Sequence, residues 1–147
     1  MIPFQTAITI NRPVDQTFRF VADMNNSAQW MGGVTSATAV VENPSGIGSR
    51  YRVVGQTGPW RFDTLFEVTE YERDRKIAIR TASASPLQFE GRWVFEPAGP
   101  SATQLTASGV VQLSGLWRLL EPLFAGEVKN GEANELKKIK SLLEANA

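Results

Sequence analysis

Apolar and polar residues alternate with two different periods along this chain, and the changes of period divide it into three stretches. Residues 4–10 set Phe4, Thr6, Ile8 and Ile10 against Gln5, Ala7 and Thr9, the period-two pattern of a half-buried strand. Pro13 then suits a first helical position, and Asp15 puts an acid in the first turn. Val14, Phe18, Val21 and Ala22 follow at helical spacing, which predicts a short helix over 13–23. A second helical turn is expected over 27–31, presenting Trp30 and Met31.

The period returns to two after Gly32 and Gly33. Strands are expected over 34–42, 49–56, 60–72, 76–83, 87–96 and 103–113, with turn residues at 43–46, 57–59, 73–75, 85–86 and 97–100. Breaks this short imply antiparallel hairpins in succession. With the first strand they make a sheet of about seven strands, which twists enough to curl. The last stretch is helical from 115 to 144. Leu116, Leu119, Leu120, Leu123 and Phe124 share one face, as do Leu136, Ile139, Leu142 and Leu143. Pro122 is expected to kink or interrupt this helix near Leu119. A long amphipathic helix must bury its apolar face, and the concave side of the curled sheet is the available partner. The expected fold class is therefore α+β, with a curled antiparallel sheet gripping one long C-terminal helix. Two short helices follow strand 1, and residues 1–147 form a single domain.

The strand faces indicate what fills the space between sheet and helix. One face of 60–72 carries Phe62, Thr64, Phe66 and Val68, and one face of 87–96 carries Phe89, Gly91, Trp93 and Phe95. These sets are expected to face the helix, with charge outside. Gly91 sits amid aromatics, where a missing side chain makes room, and Gly131 does the same from the helix. The plain reading of the aromatics is a packed core. The sharper reading is an internal cavity lined by Met31, Phe62, Phe66, Phe89, Trp93, Phe95, Leu120 and Phe124, a common form of small-molecule site. Trp30 and Met31 are expected at its mouth and Trp93 deeper. Tyr51, Thr64 and Thr81 are the polar groups expected to point inward.

Charge and composition narrow the chemistry. Fifteen basic residues balance fifteen acidic ones, so the overall field gives no reason to expect a nucleic-acid partner. The chain has no cysteine and no histidine. That removes disulfides, thiolate nucleophiles, Ser-His-Asp triads and the usual zinc ligands, so no metal site and no cofactor is expected. The Gly46-x-Gly48 loop lies between strands with no helix after it and reads as a hairpin turn, not a phosphate cradle. Arg73-Asp74-Arg75-Lys76 reads as a solvated hairpin tip. Lys137, Lys138 and Lys140 are offset by Glu132, Glu135 and Glu144 in a similarly solvated face. Asp63 and Glu90 could pair across neighbouring strands, on the outer face. No signal peptide or membrane-spanning segment is read, so a cytoplasmic protein without an integral membrane segment is expected.

The order of these features resembles a known family. Residues 10–23, Ile-Asn-Arg-Pro-Val-Asp-Gln-Thr-Phe-Arg-Phe-Val-Ala-Asp, are similar to the strand-then-helix opening of the START/Bet v 1-like (SRPBCC) superfamily, in its bacterial polyketide cyclase/dehydrase and lipid-transport branch. The Trp30 element, the 46–51 loop, the Glu67–Glu72 stretch, Trp93-Val94-Phe95-Glu96-Pro97 with its return at 103–106, and the C-terminal helix extend the resemblance over the whole chain. It implies a helix-grip fold with a deep apolar cavity beneath that helix. It further implies binding or transport of a hydrophobic small molecule such as a lipid, sterol, quinone or polyketide. The alternative it leaves open is a polyketide cyclase or dehydratase acting by positioning, with Tyr51 or Arg92 polarising a carbonyl and a carboxylate moving protons. Against that stands the absence of histidine. A protein-interaction module using the outer sheet or the helix is a third class. The cavity discriminates among the three: two or more buried ionisable groups favour an enzyme, none favours a carrier, and a filled core favours the interaction module.

Overall fold

Alternating sequence becomes seven antiparallel strands in one sheet, in the order β1-β7-β6-β5-β4-β3-β2. The computed structural model describes residues 1–43, 45–57, 59–83 and 87–145. The strands are β1 (Ile2–Ile10), β2 (Val34–Val41), β3 (Arg50–Thr57), β4 (Trp60–Glu72), β5 (Lys76–Thr81), β6 (Leu87–Pro97) and β7 (Thr103–Leu113). Helices α1 (Val14–Ala22) and α2 (Ser27–Trp30) carry the chain from β1 at one sheet edge to β2 at the other, with a 3₁₀ turn at Met24–Asn26 between them. After β2 every connection is a hairpin, and β7 closes on β1 in register from Ile2↔Val111 to Ile10↔Thr103.

β1 starts two residues before the expected 4–10, because Ile2 and Phe4 pack with Val111 in a small second apolar cluster. β5 ends at Thr81, two residues short of the expected 83. The turn expected at Ser85-Pro86 lies outside the described residues, as do Gly58 of the 57–59 turn and Pro44 of the 43–46 turn.

The two faces of the sheet separate as the alternation requires. On the concave side Val53, Phe66, Val68, Ile77, Ile79, Trp93, Phe95 and Leu105 form the main core with Phe18, Val21, Met24 and Trp30 from the short helices and Leu136 and Ile139 from the C-terminal helix. Trp30 and Trp93 meet edge-on at 5.7 Å, and Phe18 meets Phe95 at 5.2 Å. The convex side is laced by ion pairs: Arg52 with Asp63, Arg50 and Arg80 with Glu67, and Arg92 and Lys76 with Glu70.

The C-terminal helix α3 runs Glu121–Ala145, behind a 3₁₀ segment at Gly115–Leu120. Pro122 therefore falls in the first α-helical turn, where its missing N–H is harmless, and the interruption expected near Leu119 appears as the 3₁₀ geometry before it. The Glu121 carboxylate accepts the Leu113 backbone N–H at 2.8 Å, fixing the helix start to the end of β7.

Candidate functional site

A cleft of about 430 Å³ opens where the concave face passes under the middle of α3. Its floor is Phe62, Thr64 and Phe66 of β4, Thr81 of β5, and Leu87 and Phe89 of β6. Met31, Gly32 and Val34, at the turn from α2 into β2, form one wall, while Glu132 and Glu135 of α3 form the roof. Arg61 and Asp63 stand at the rim. The floor exists because the ladder between β5 and β6 stops at Arg80↔Glu90. One residue further on, the Thr81 hydroxyl takes the Phe89 N–H at 2.9 Å in place of a ladder partner. Thr64 and Ser83 hydroxyls meet at 3.1 Å. The two threonine hydroxyls thus close the sheet locally as well as facing the cleft.

The carboxyl pair gives the cleft its chemistry. Glu132 is 8% exposed, and its Oε2 is buried with no hydrogen-bond donor. Glu135 accepts the Gly32 N–H at 2.8 Å, tying α3 to the wall. Among the described residues neither carboxyl forms an ion pair. Burial pushes Glu132 up to about 9, and the neighbouring Glu135 carboxylate adds to the rise both by its charge and by accepting the proton. Burial raises Glu135 as well, against the pull of the Gly32 N–H, the Glu132 hydrogen bond and the Lys138 charge. The pair holds a proton at neutral pH because two desolvated carboxylates side by side are strongly unfavourable. One carboxyl is then a donor and its neighbour an acceptor. Three or more metal-ligating side chains do not converge among the described residues.

The expected site residues divide between this cleft and other places. Met31, Phe62, Thr64, Phe66 and Phe89 do come together in it. Trp30, Trp93 and Phe95 do not: each is at most 2% exposed and belongs to the solid core, so Trp30 is not at a mouth. Gly91 makes room for the Phe89 ring rather than for open space. A Cβ there would lie 2.7 Å from Phe89 Cζ and 3.1 Å from Trp93 Cη2. Tyr51 lines a separate, more polar pocket of about 520 Å³ with Arg19, Asp23, Glu42 and Tyr71. Burial raises its phenol there, and the charges of Glu42 and Asp23 add to the rise. Leu120, at the end of the 3₁₀ segment, is half-buried and Phe124, in the first turn of α3, is exposed, and both lie outside the cleft. Gly131 likewise faces open space.

Two ionisable groups also fall elsewhere. Arg92 is on the convex face, held by Glu70 at 2.6 Å, so it cannot polarise a carbonyl in the cleft. Asp63 and Glu90 do not pair, because β5 runs between their strands; Asp63 is bonded to Arg52. The residues missed are Glu132 and Glu135, read as part of a solvated face. A signal for them existed. They stand four residues before Leu136 and Ile139, on the stripe that those side chains bury.

The family model for polyketide cyclase / dehydrase and lipid transport matches residues 1–144. The chain belongs to that family. Solved structures agree on the fold of this polyketide cyclase/dehydrase and lipid-transport member. TTHA0849 from Thermus thermophilus is 19% identical, each chain covering 99% of the other, with a TM-score of 0.83. A START superfamily protein from Mycobacterium smegmatis is 17% identical, with 96% of this chain and 98% of that one covered and a TM-score of 0.73. The di-domain ARO/CYC BexL from the BE-7585A biosynthetic pathway is 16% identical with a TM-score of 0.79; 98% of this chain matches 47% of that one. No curated protein sequence matches the chain. Identities this low establish the helix-grip fold alone, and this fold hosts many functions. No helix among the described residues is long and apolar enough to cross a membrane.

Proposed function

We propose that the chain binds a hydrophobic small molecule, lipid-, quinone- or polyketide-like, in the cleft beneath α3. The observation that carries this is a buried carboxyl oxygen without a donor, Glu132 Oε2, set above Met31, Val34, Phe62, Phe66 and Phe89. An apolar cavity with a few placed polar groups is how small-molecule sites combine affinity with orientation. Family membership supports the reading, since that family joins cyclases with lipid-transport proteins. The test is a thermal-shift screen of fatty acids, quinones, sterols and aromatic polyketides. Ligand at 100 times its dissociation constant stabilises the fold by about 2.7 kcal/mol. A panel in which no apolar compound moves the melting curve overturns the proposal.

A second reading, catalysis, is favoured by the same pair, because two ionisable groups turned into the cleft are the feature expected of an enzyme and not of a simple carrier. A protonated Glu132 beside Glu135 sets an acid and a base within one apolar space, the arrangement that cyclisation or dehydration by proton transfer requires. Mass spectrometry of the bound compound after incubation separates the two. Recovery unchanged supports carriage, whereas loss of water or a cyclised product supports the enzyme.

A further inference from the structure

The cleft is apolar on its floor and acidic on its roof, and this asymmetry restricts what fits. We propose that its ligand is a lipophilic amine, whose ammonium group bonds the Glu132 and Glu135 carboxyls while its apolar body lies on Phe62, Phe66 and Phe89. The inference rests on the reading of this cleft as the binding site.

Buried oxygens without donors are costly unless a proton or a cation meets them. Glu132 Oε2 is such an oxygen, and the residue is more than nine-tenths buried on the cleft roof. Glu135 receives one backbone N–H, from Gly32. The charged groups that face the pair leave the position of a counter-ion open. On α3, Lys138 acts on Glu135 through its charge, yet among the described residues no ion pair joins them. On β4, Arg61 is an exposed rim residue, and Asp63 has its charge taken by Arg52. The wall contributes a backbone N–H and no charged side chain.

An ammonium supplies three donors and a full positive charge, so it can satisfy both carboxyls at once. A ligand carboxylate would place a third negative group against two carboxyls. A hydroxyl would supply one donor and leave the repulsion between the two acids to be relieved by the retained proton. Seating an ammonium removes the need for that proton, so binding of the amine releases it. Proton release is the signature that separates this recognition from simple apolar burial, which moves no proton.

The test uses the full chain and three matched probes, octylamine, octanol and octanoate, titrated calorimetrically at pH 7 in phosphate and in Tris. The expected result is binding of octylamine about tenfold or more tighter than octanol, with octanoate weakest. The octylamine enthalpy differs between the two buffers by an amount that reports proton release, and the octanol enthalpy does not. Glu132→Gln and Glu135→Gln each abolish the amine-over-alcohol preference and the buffer difference. If octanol or octanoate binds as tightly as octylamine, or octylamine binds without releasing a proton, the amine assignment is overturned and the cleft reading stands. If the preference survives in both glutamine variants, the amine sits elsewhere and the assignment is again overturned. If none of the three binds and no compound of the apolar panel does, both fall together.

Discussion

The two ends of the C-terminal helical region carry the same kind of apolar stripe and meet different fates. Leu136 and Ile139 are at most 1% exposed and join the main core. Leu116, Leu119 and Leu123 are 84%, 78% and 74% exposed. Periodicity states that one face is apolar; it does not state that anything lies opposite. Beyond Leu136 the helix runs along β1, where Lys140 donates to the Thr9 carbonyl, and Leu136 and Ile139 join the cluster that holds Trp93, Phe95 and Leu105. Before Glu132 the apolar contact narrows to Ala125 and Val128 against the Ile2, Phe4 and Val111 cluster, and the helix start is held by Glu121, whose carboxylate accepts from the Leu113 N–H and the N-terminus. The cleft sits at the change from one regime to the other. The packed half fixes the backbone, so the side chains one turn earlier, Glu132 and Glu135, are held over the cleft, Glu135 against the Gly32 N–H and Glu132 with its Oε2 unbonded.

The largest test of this contrast removes the anchor. Leu136→Ala is expected to lower stability by about 2–5 kcal/mol, the range for a fully buried leucine whose cavity cannot collapse, read from urea midpoints. A loss below about 1 kcal/mol would mean that the helix is not seated as described.

The next test reads the acids held by that anchor. Glu132 has its carboxyl raised in the fold from 4.5 to about 9, so between those values the folded state binds a proton that the unfolded chain releases. Stability is therefore highest below about pH 4.5 as far as this group is concerned, and it falls as pH rises toward 9, by at most about 1.4 kcal/mol per pH unit for one proton. Glu67, Glu72, Glu121 and Glu144 are shifted downward by their hydrogen bonds to cationic groups, so they act on the acid side and do not confuse this window. Urea midpoints at pH 5, 7 and 9 are expected to descend for the native chain and to descend less steeply for Glu132→Gln, in which Glu135, raised by its own burial, is the acid left in the window. Parallel descents in the two proteins would remove Glu132 as the cause.

How much of this was legible follows from which forces are local. The strands were readable because alternation and turn residues act over a few positions, and β4 falls at the expected 60–72. The concave assignment of Phe66, Trp93 and Phe95 was readable for the same reason. Whether a concave aromatic touches empty space was not, because that depends on rings arriving from other elements. Trp30 caps Trp93 and Phe18 caps Phe95, whereas Phe62 is left half-buried at the cleft. Glu132 and Glu135 escaped because a glutamate among lysines reads as solvated unless its place on the stripe is weighed first.

Gly91 sharpens the packed side of the contrast. Gly91→Leu is expected to overpack against Phe89 and Trp93 and to cost about 1–3 kcal/mol, again by urea midpoint. A neutral outcome would show that the ring of Phe89 swings aside and that the cleft extends inward. The exposed side gives the opposite sign. Gly126 is helical, and a methyl group added there would meet nothing within 4 Å. Gly126→Ala is therefore expected to stabilise by about 0.5–1 kcal/mol through helix propensity and a less flexible unfolded chain. A loss instead would mean that this half of the helix is covered in solution.

The smallest expected effect is the most direct test of the exposed half. Leu123 lies 13 residues before Leu136 on the sequence and is 74% exposed, so truncating it removes little buried area. Leu123→Ala is expected to change stability by no more than about 0.5 kcal/mol, the usual range for a surface substitution. Alanine is also the better helix former, which works against any small loss of contact. The measurement is the difference between its urea midpoint and that of Leu136→Ala at equal slope. Two similar midpoints would show that the leucines at the helix start are buried when the protein is in solution, either against the sheet or against a second copy. Repeating the measurement over a hundredfold range of protein concentration separates those two, because only association makes the midpoint depend on concentration.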